Sequence, residues 1–165
     1  MHRLSLAAVT AIAVCSYTQV VAADGVVLPN DEAAKLVSQC SRPSPGPVDS
    51  YWAPSKGDID ALEAAFPAFF RKKAYDWRGF LGMPNIRDSD ADKLLSQYVR
   101  QYAGFVIGGR KVIYVNAVTG WGISDNPNQW RTKAVRVCDG GSITFGVEYD
   151  PTSKTFDHFA FNGEI

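Results

Sequence analysis

Histidine is nearly absent from this sequence: there are two in 165 residues, and one of them is His2. An imidazole-based zinc centre or a histidine-centred triad would therefore have only His158 to draw on beyond the first residues. Neither sign of charge is in excess, with 17 Lys and Arg against 17 Asp and Glu. That balance argues against the basic surface on which general nucleic-acid or anionic-membrane binding depends. No apolar run reaches the length of a membrane span. A Walker loop is lacking, and "GWGISD" lacks the third glycine and the preceding context of a dinucleotide fingerprint. No G-x-S-x-G surrounds any serine. The expectation is a chain with no cofactor, no metal, no nucleic acid and no membrane span.

What is present begins with the leader. "MHRLSLAAVTAIAVCSYTQVVAA" has a basic start, a short apolar run and a small-residue end, which predicts a secretory signal peptide over residues 1–23. Ile12-Ala13-Val14-Cys15 offers a lipoprotein reading, but Val14 is bulky for such a cleavage position. Removing the leader takes away Arg3 and Cys15 and leaves one acid in excess. The remainder, 24–165, is long enough for one domain with its own core. Cys40 and Cys138 are the two thiols left. In an exported chain they are expected to pair as a disulfide rather than serve as a nucleophile.

The spacing of Ala33, Leu36 and Val37 predicts a short helix over 31–39, capped by Asn30. The proline-rich "RPSPGPVDSYWAPSKG" follows as an extended connector. Ser55 and Asp58 form a capping-box pattern. The helix they open puts Ile59, Leu62, Phe66, Phe69 and Phe70 on one side, with Pro67 expected to kink or split it. Asp88, Asp90 and Asp92 resemble the start of a calcium loop, but Lys93 stands where glycine belongs, so an acidic helix N-terminus is the better reading. From Tyr98 onward the pattern is β: strands over 98–107, 111–119, 132–138, 142–150 and 155–161. Gly108-Gly109 joins the first two as a hairpin. The fold class read from this is α+β, with amino-terminal helices packed on one face of a five-stranded, mostly antiparallel meander and one disulfide stapling the layers.

Three groups of residues are candidates for function. The connection "TGWGISDNPNQW" is long in a chain of tight turns. It combines Trp121 and Trp130 with Asp125, Asn126 and Asn128, a composition suited to protein hot spots and to sugar stacking. Arg100, Tyr102 and Gly104 lie at alternate positions of one strand, and Tyr114 and Asn116 lie on its neighbour. Together they suggest a polar, aromatic groove on the sheet's second face, unless Arg100 simply pairs with Glu148. In "SITFGVEYD" the alternation sends Phe145, Val147 and Tyr149 to one face and Thr144, Gly146, Glu148 and Asp150 to the other. Paired carboxylates such as Glu148 and Asp150, or Asp139, would suit glycoside hydrolysis, although Asp150 before Pro151 is also an ordinary turn residue. Asp157 and His158 are expected on opposite faces, with His158 at the surface or strand edge.

The series "RQYAG…GGR…IYVNA…CDGG…FGVEYD…FNG", spanning residues 100–163, resembles a group of small exported proteins of Gram-negative bacteria. The resemblance implies a periplasmic or secreted location and a shared fold, and it brings no activity with it. The functional expectation is a non-enzymatic binding protein, such as an envelope-enzyme inhibitor or an immunity-type factor. It would engage an envelope or secreted protein, or a glycan, through the sheet face and the 119–130 loop. The alternative is a small cell-wall glycan hydrolase using the paired carboxylates.

Overall fold

The computed structural model describes residues 24–123, 125 and 127–163. The predicted leader and Asn126 lie outside these residues. The chain runs β1 (Gly25–Val27), α1 (Asn30–Ala33), β2 (Ser50–Trp52), α2 (Lys56–Asp76), α3 (Asp88–Leu95), β3 (Tyr98–Ile107), β4 (Arg110–Thr119), β5 (Thr144–Asp150) and β6 (Thr155–Phe161). The class is α+β as expected, but the sheet has six strands and is mixed rather than a five-stranded meander. Its order is β1-β3-β4-β5-β6, with β2 also on β3.

The β3–β4 hairpin is the long, regular part, in register from Tyr98↔Thr119 to Ile107↔Arg110. Gly108 and Gly109 close it at φ 57 and 75. A two-residue turn needs positive φ at both positions to match strand twist, and glycine adopts it without a Cβ clash. The outer edge of β3 is shared by two short strands. β1 pairs parallel (Gly25↔Arg100) and β2 antiparallel (Trp52↔Gly104). Three residues are too few to show alternation, which is why neither strand is legible in the sequence.

Three further expectations change. The first helix is one α turn, Asn30–Ala33, continued by a 3-10 turn over Ala34–Val37, and its cap position is Pro29 rather than Asn30. Helix α2 is not split at Pro67 but runs for 21 residues. Pro67 removes one intrahelical donor, yet Leu62, Phe66, Phe70 and Ala74 around it are fully buried. Packing on that side offsets the lost bond. Residues 132–138 form no strand, and the reason emerges at the candidate site.

Ser55 and Asp58 make the reciprocal capping box that starts α2, with Asp58 N donating to Ser55 Oγ (3.2 Å) and Ser55 N to Asp58 Oδ2 (2.8 Å). The apolar stripe of α2 then meets Tyr98, Tyr102, Ile113, Val115, Phe145, Val147, Tyr149 and Phe161. Rings dominate this layer: Phe145 lies 4.8 Å from Tyr98, 5.5 Å from Phe70 and 6.0 Å from Phe66, centroid to centroid. Each such side chain contributes about 1.5–3 kcal/mol by leaving water. On the opposite face Leu28, just after β1, and Ala33 and Leu36 of α1 and its continuation pack over Ala103, Phe105 and Tyr114. The centre of the sheet is therefore covered on both faces, while β6 stays largely exposed. Cys40 and Cys138 form the expected disulfide, with Cα atoms 5.4 Å apart.

Candidate functional site

The second face is where polar side chains gather, and they are buried. Arg42, two residues beyond Cys40 in the connector, turns inward and is only 9% exposed. Its Nε donates to Tyr114 Oη (3.0 Å), Nη1 to Thr144 Oγ1 (3.1 Å) and to Asn162 Oδ1, and Nη2 to Asn116 Oδ1 (2.5 Å). No carboxylate forms an ion pair with Arg42 among the described residues. A buried cation is tolerable only where such donors are matched, and here neutral acceptors do the matching. Gly146 makes room for it. A Cβ there would fall 2.2 Å from Tyr114 Oη and 2.8 Å from Arg42 Nε.

The amides of this layer reach outward to one segment. Gln101 Nε2 donates to the carbonyls of Trp130 and Lys133 (both 2.6 Å), and its Oε1 accepts from Val135 N (2.9 Å). Asn116 Nδ2 donates to Val135 O (2.9 Å), and Asn162 Nδ2 to Val137 O. Residues 130–138 are thus strapped across the sheet by side chains. That explains the failed strand expectation. The segment has β-type residues, but its backbone groups find their partners in three amides rather than in a neighbouring strand. From the other side Glu32 accepts from Ala134 N (2.9 Å), Lys133 Nζ (3.0 Å) and Lys35 Nζ (2.7 Å). The hydrogen bond from Lys35, then those from Ala134 and Lys133, bring its carboxyl down to about 2. Because the folded value is the lower one, this contribution is present above the usual carboxylate range and is lost as pH falls toward 2.

Between the strap and the 119–130 connection lies a cleft of about 210 Å³, lined by Gly122, Ile123, Asp125, Gln129, Trp130 and residues 133–136. The two tryptophans part company here. Trp121 is 84% exposed and Trp130 only 3%, with the Arg131 guanidinium 4.4 Å above the Trp130 ring. Asn128 is exposed at the start of the Gln129–Arg131 turn. Arg131 also pairs with Asp24 (3.0 Å).

The groove expected from Arg100, Tyr102, Tyr114 and Asn116 does not form, because these residues are split between the faces. Gln101, not Arg100, stands opposite Asn116. Arg100 and Tyr102 are 3% and 2% exposed and face α2, where Glu63 receives Arg100 Nη1 (2.9 Å) and Tyr102 Oη (2.7 Å). Glu63, not Glu148, is the partner of Arg100. Burial, with the Glu63 charge added, pushes the Tyr102 phenol well above its ordinary value.

Glu148 and Asp150 do share a face and line a shallow depression with Arg110, Thr155, Asp157 and His158. A register shift between β5 and β6 sets His158 at φ 52 and brings its Nδ1 to 2.9 Å from Glu148 Oε2. This bulge defeats the expected alternation of Asp157 and His158: the Asp157 carboxylate lies 3.9 Å from His158 Nε2. The hydrogen bond to Glu148 raises the His158 pKa. Asp150 accepts from Thr152 N (2.7 Å) and Ser153 N (3.1 Å) as a turn residue. Burial works to raise its pKa, but those two amides and Arg110 outweigh it and hold the carboxyl below the usual range. Asp139 sits apart, at the turn beside the disulfide, with its N–H on Ser41 Oγ (2.9 Å).

Arg42, Glu63, Gln101 and Arg136 escape a sequence reading. Arg42 lies in a connector that reads as solvated, and no local spacing links it to residues 72–120 positions away. No helix among the described residues is long and apolar enough to cross a membrane. Among those residues no group of three or more His, Cys, Asp or Glu is arranged to hold a metal. Compared with known proteins, the chain matches no family model, no curated protein and no solved structure.

Proposed function

We propose that this chain is an exported, non-enzymatic binding protein that engages an envelope or secreted macromolecule through the 120–136 rim. The observation that carries the reading is Trp121. An indole left 84% exposed beside a formed cleft is a large apolar surface with no folding benefit, and such residues anchor interfaces. The groove expected at Arg100, Tyr102, Tyr114 and Asn116 drops out of the binding surface, since all four residues are buried. A disulfide-linked fold supports an exported location. An envelope-enzyme inhibitor or immunity-type factor is the kind of protein this surface suits. The paired-carboxylate hydrolase reading is weaker, because Asp150 is committed to its turn as an ionised acceptor and Asp139 lies elsewhere.

The test compares capture from envelope extract by the mature protein and by Trp121→Ala. The indole is largely exposed, so the variant's melting temperature should match the parent's. A partner retained by the parent and lost by the variant, then rebound in purified form, is the expected result. Recovery of the same set by both proteins rules out the Trp121 rim.

A further inference from the structure

The strap is fixed from behind at alternate residues. Val135 bonds through its N–H to Gln101 and through its C=O to Asn116, and Val137 O accepts from Asn162 Nδ2. In extended backbone successive residues direct these groups to opposite sides, so Arg136 between them directs its N–H and C=O outward. Neither group makes a hydrogen bond among the described residues. Ala134 N is already held by Glu32, so the outward side offers a single residue and not a run of them. That is too short to seat a peptide strand, which needs a ladder of bonds. What Arg136 does offer is a donor and an acceptor side by side, at the cleft that it lines.

The charges around the cleft offset one another. Asp125 and Arg136 line it together. Lys133 is paired with Glu32 and has Asp31 close by, and Arg131 is paired with Asp24. A charged ligand of either sign would gain little from this field and would lose its hydration on entry. The cleft, at about 210 Å³, is also smaller than the roughly 300–1,000 Å³ of drug-sized sites. Its lining mixes the apolar Ile123, Trp130 and Val135 with Gln129. One residue before Gly122, in the same 3-10 turn, the indole of Trp121 stands exposed. A small neutral ligand with hydroxyls on adjacent carbons and a C–H face answers each of these features. We propose that the cleft takes one neutral sugar ring of a glycan. A vicinal diol bonds the Arg136 backbone, one hydroxyl accepting from the N–H and the other donating to the C=O. The Trp121 indole stacks on the C–H face of a neighbouring ring. This rests on the binding reading above and narrows the macromolecule to a neutral glycan.

The experiment titrates ¹⁵N-labelled protein comprising residues 24–165 with the trisaccharides of glucose, of galactose and of mannose. Trisaccharides of galacturonic acid and of glucosamine are the anionic and cationic controls. The expected result is a shift and slowed exchange of the Arg136 amide with at least one neutral sugar, at an affinity that added salt leaves unchanged. Binding should weaken about tenfold or more in a monodeoxy form that lacks one hydroxyl of the bound diol, and by a similar factor in Trp121→Ala. An Arg136 amide unmoved by every neutral sugar at millimolar concentration overturns the proposal. So does equal or tighter binding of a charged sugar, or indifference to every deoxy replacement or to loss of the indole. If that happens while Trp121→Ala still loses a protein captured from envelope extract, only the saccharide inference falls. If the captured set is also unchanged, the binding reading falls with it.

Discussion

On the α2 face of the sheet Phe66, Phe70 and Phe145 meet as rings, whereas across the same strands Arg42, Asn116 and Asn162 meet as a hydrogen-bonded layer. Apart from Arg100 and Tyr102 on Glu63, the first face is held by contacts that depend on area and shape. A neighbour can shift a little and recover most of the contact. The second is held by donors and acceptors that have one arrangement, and a single missing partner leaves a buried charge or amide exposed to no water. The same backbone therefore carries a tolerant face and an exacting one. The exacting face is the one that fixes the strap and shapes the cleft.

The sharpest way to test this contrast is a near-isosteric change on each side. Asn116→Leu keeps the volume but removes the acceptor of Arg42 Nη2 and the donor to Gln101 and Val135. It should cost about 3–5 kcal/mol in urea unfolding. Phe66→Leu, at a fully buried ring, should cost only about 1–2 kcal/mol. Equal losses would erase the distinction between the faces.

Next in size is the disulfide, which anchors the strap end at Cys138 to Cys40 beside Arg42, across 98 residues. Thiol labelling of denatured, unreduced protein comprising residues 24–165 should find no free cysteine. Reductant should remove about 3 kcal/mol or more and lower the melting temperature by several degrees. Amides of 133–137 should gain exchange before those of β3 and β4. If α2 loosened first instead, the staple would belong to the aromatic face.

The smallest effect concerns His158. Its pKa is raised by Glu148, so the pair's contribution is fully present below the unfolded histidine value and fades as pH rises through the folded one. His158 is 62% exposed by side chain, and after solvent screening the pair contributes at most about 1 kcal/mol. His158→Gln should flatten a shallow loss of stability between mildly acidic and mildly alkaline pH and leave the acid side, where Glu32 acts, unchanged. An unaltered pH profile in melting scans would show the pair to be energetically neutral.

Several features follow from local pattern alone. Cys40 and Cys138, the two cysteines beyond the predicted leader, have one way to pair, and they do so. Gly108-Gly109 between two β-rich runs dictates a hairpin, and the period of Leu62, Phe66 and Phe70 dictates which side of α2 is buried. The alternation in residues 144–150 sends Phe145, Val147 and Tyr149 to the core, as found. These rest on neighbours within a turn or a strand, where geometry is set by the chain itself. The tertiary structure decided the rest. It chose which tryptophan of the connection stays outside, it put Arg100 against Glu63, and it made residues 132–138 a strap instead of a strand. In each case the outcome depends on which distant donor or acceptor arrives to satisfy a polar group, and Arg42, Gln101 and Asn162 come from parts of the chain that no periodicity connects.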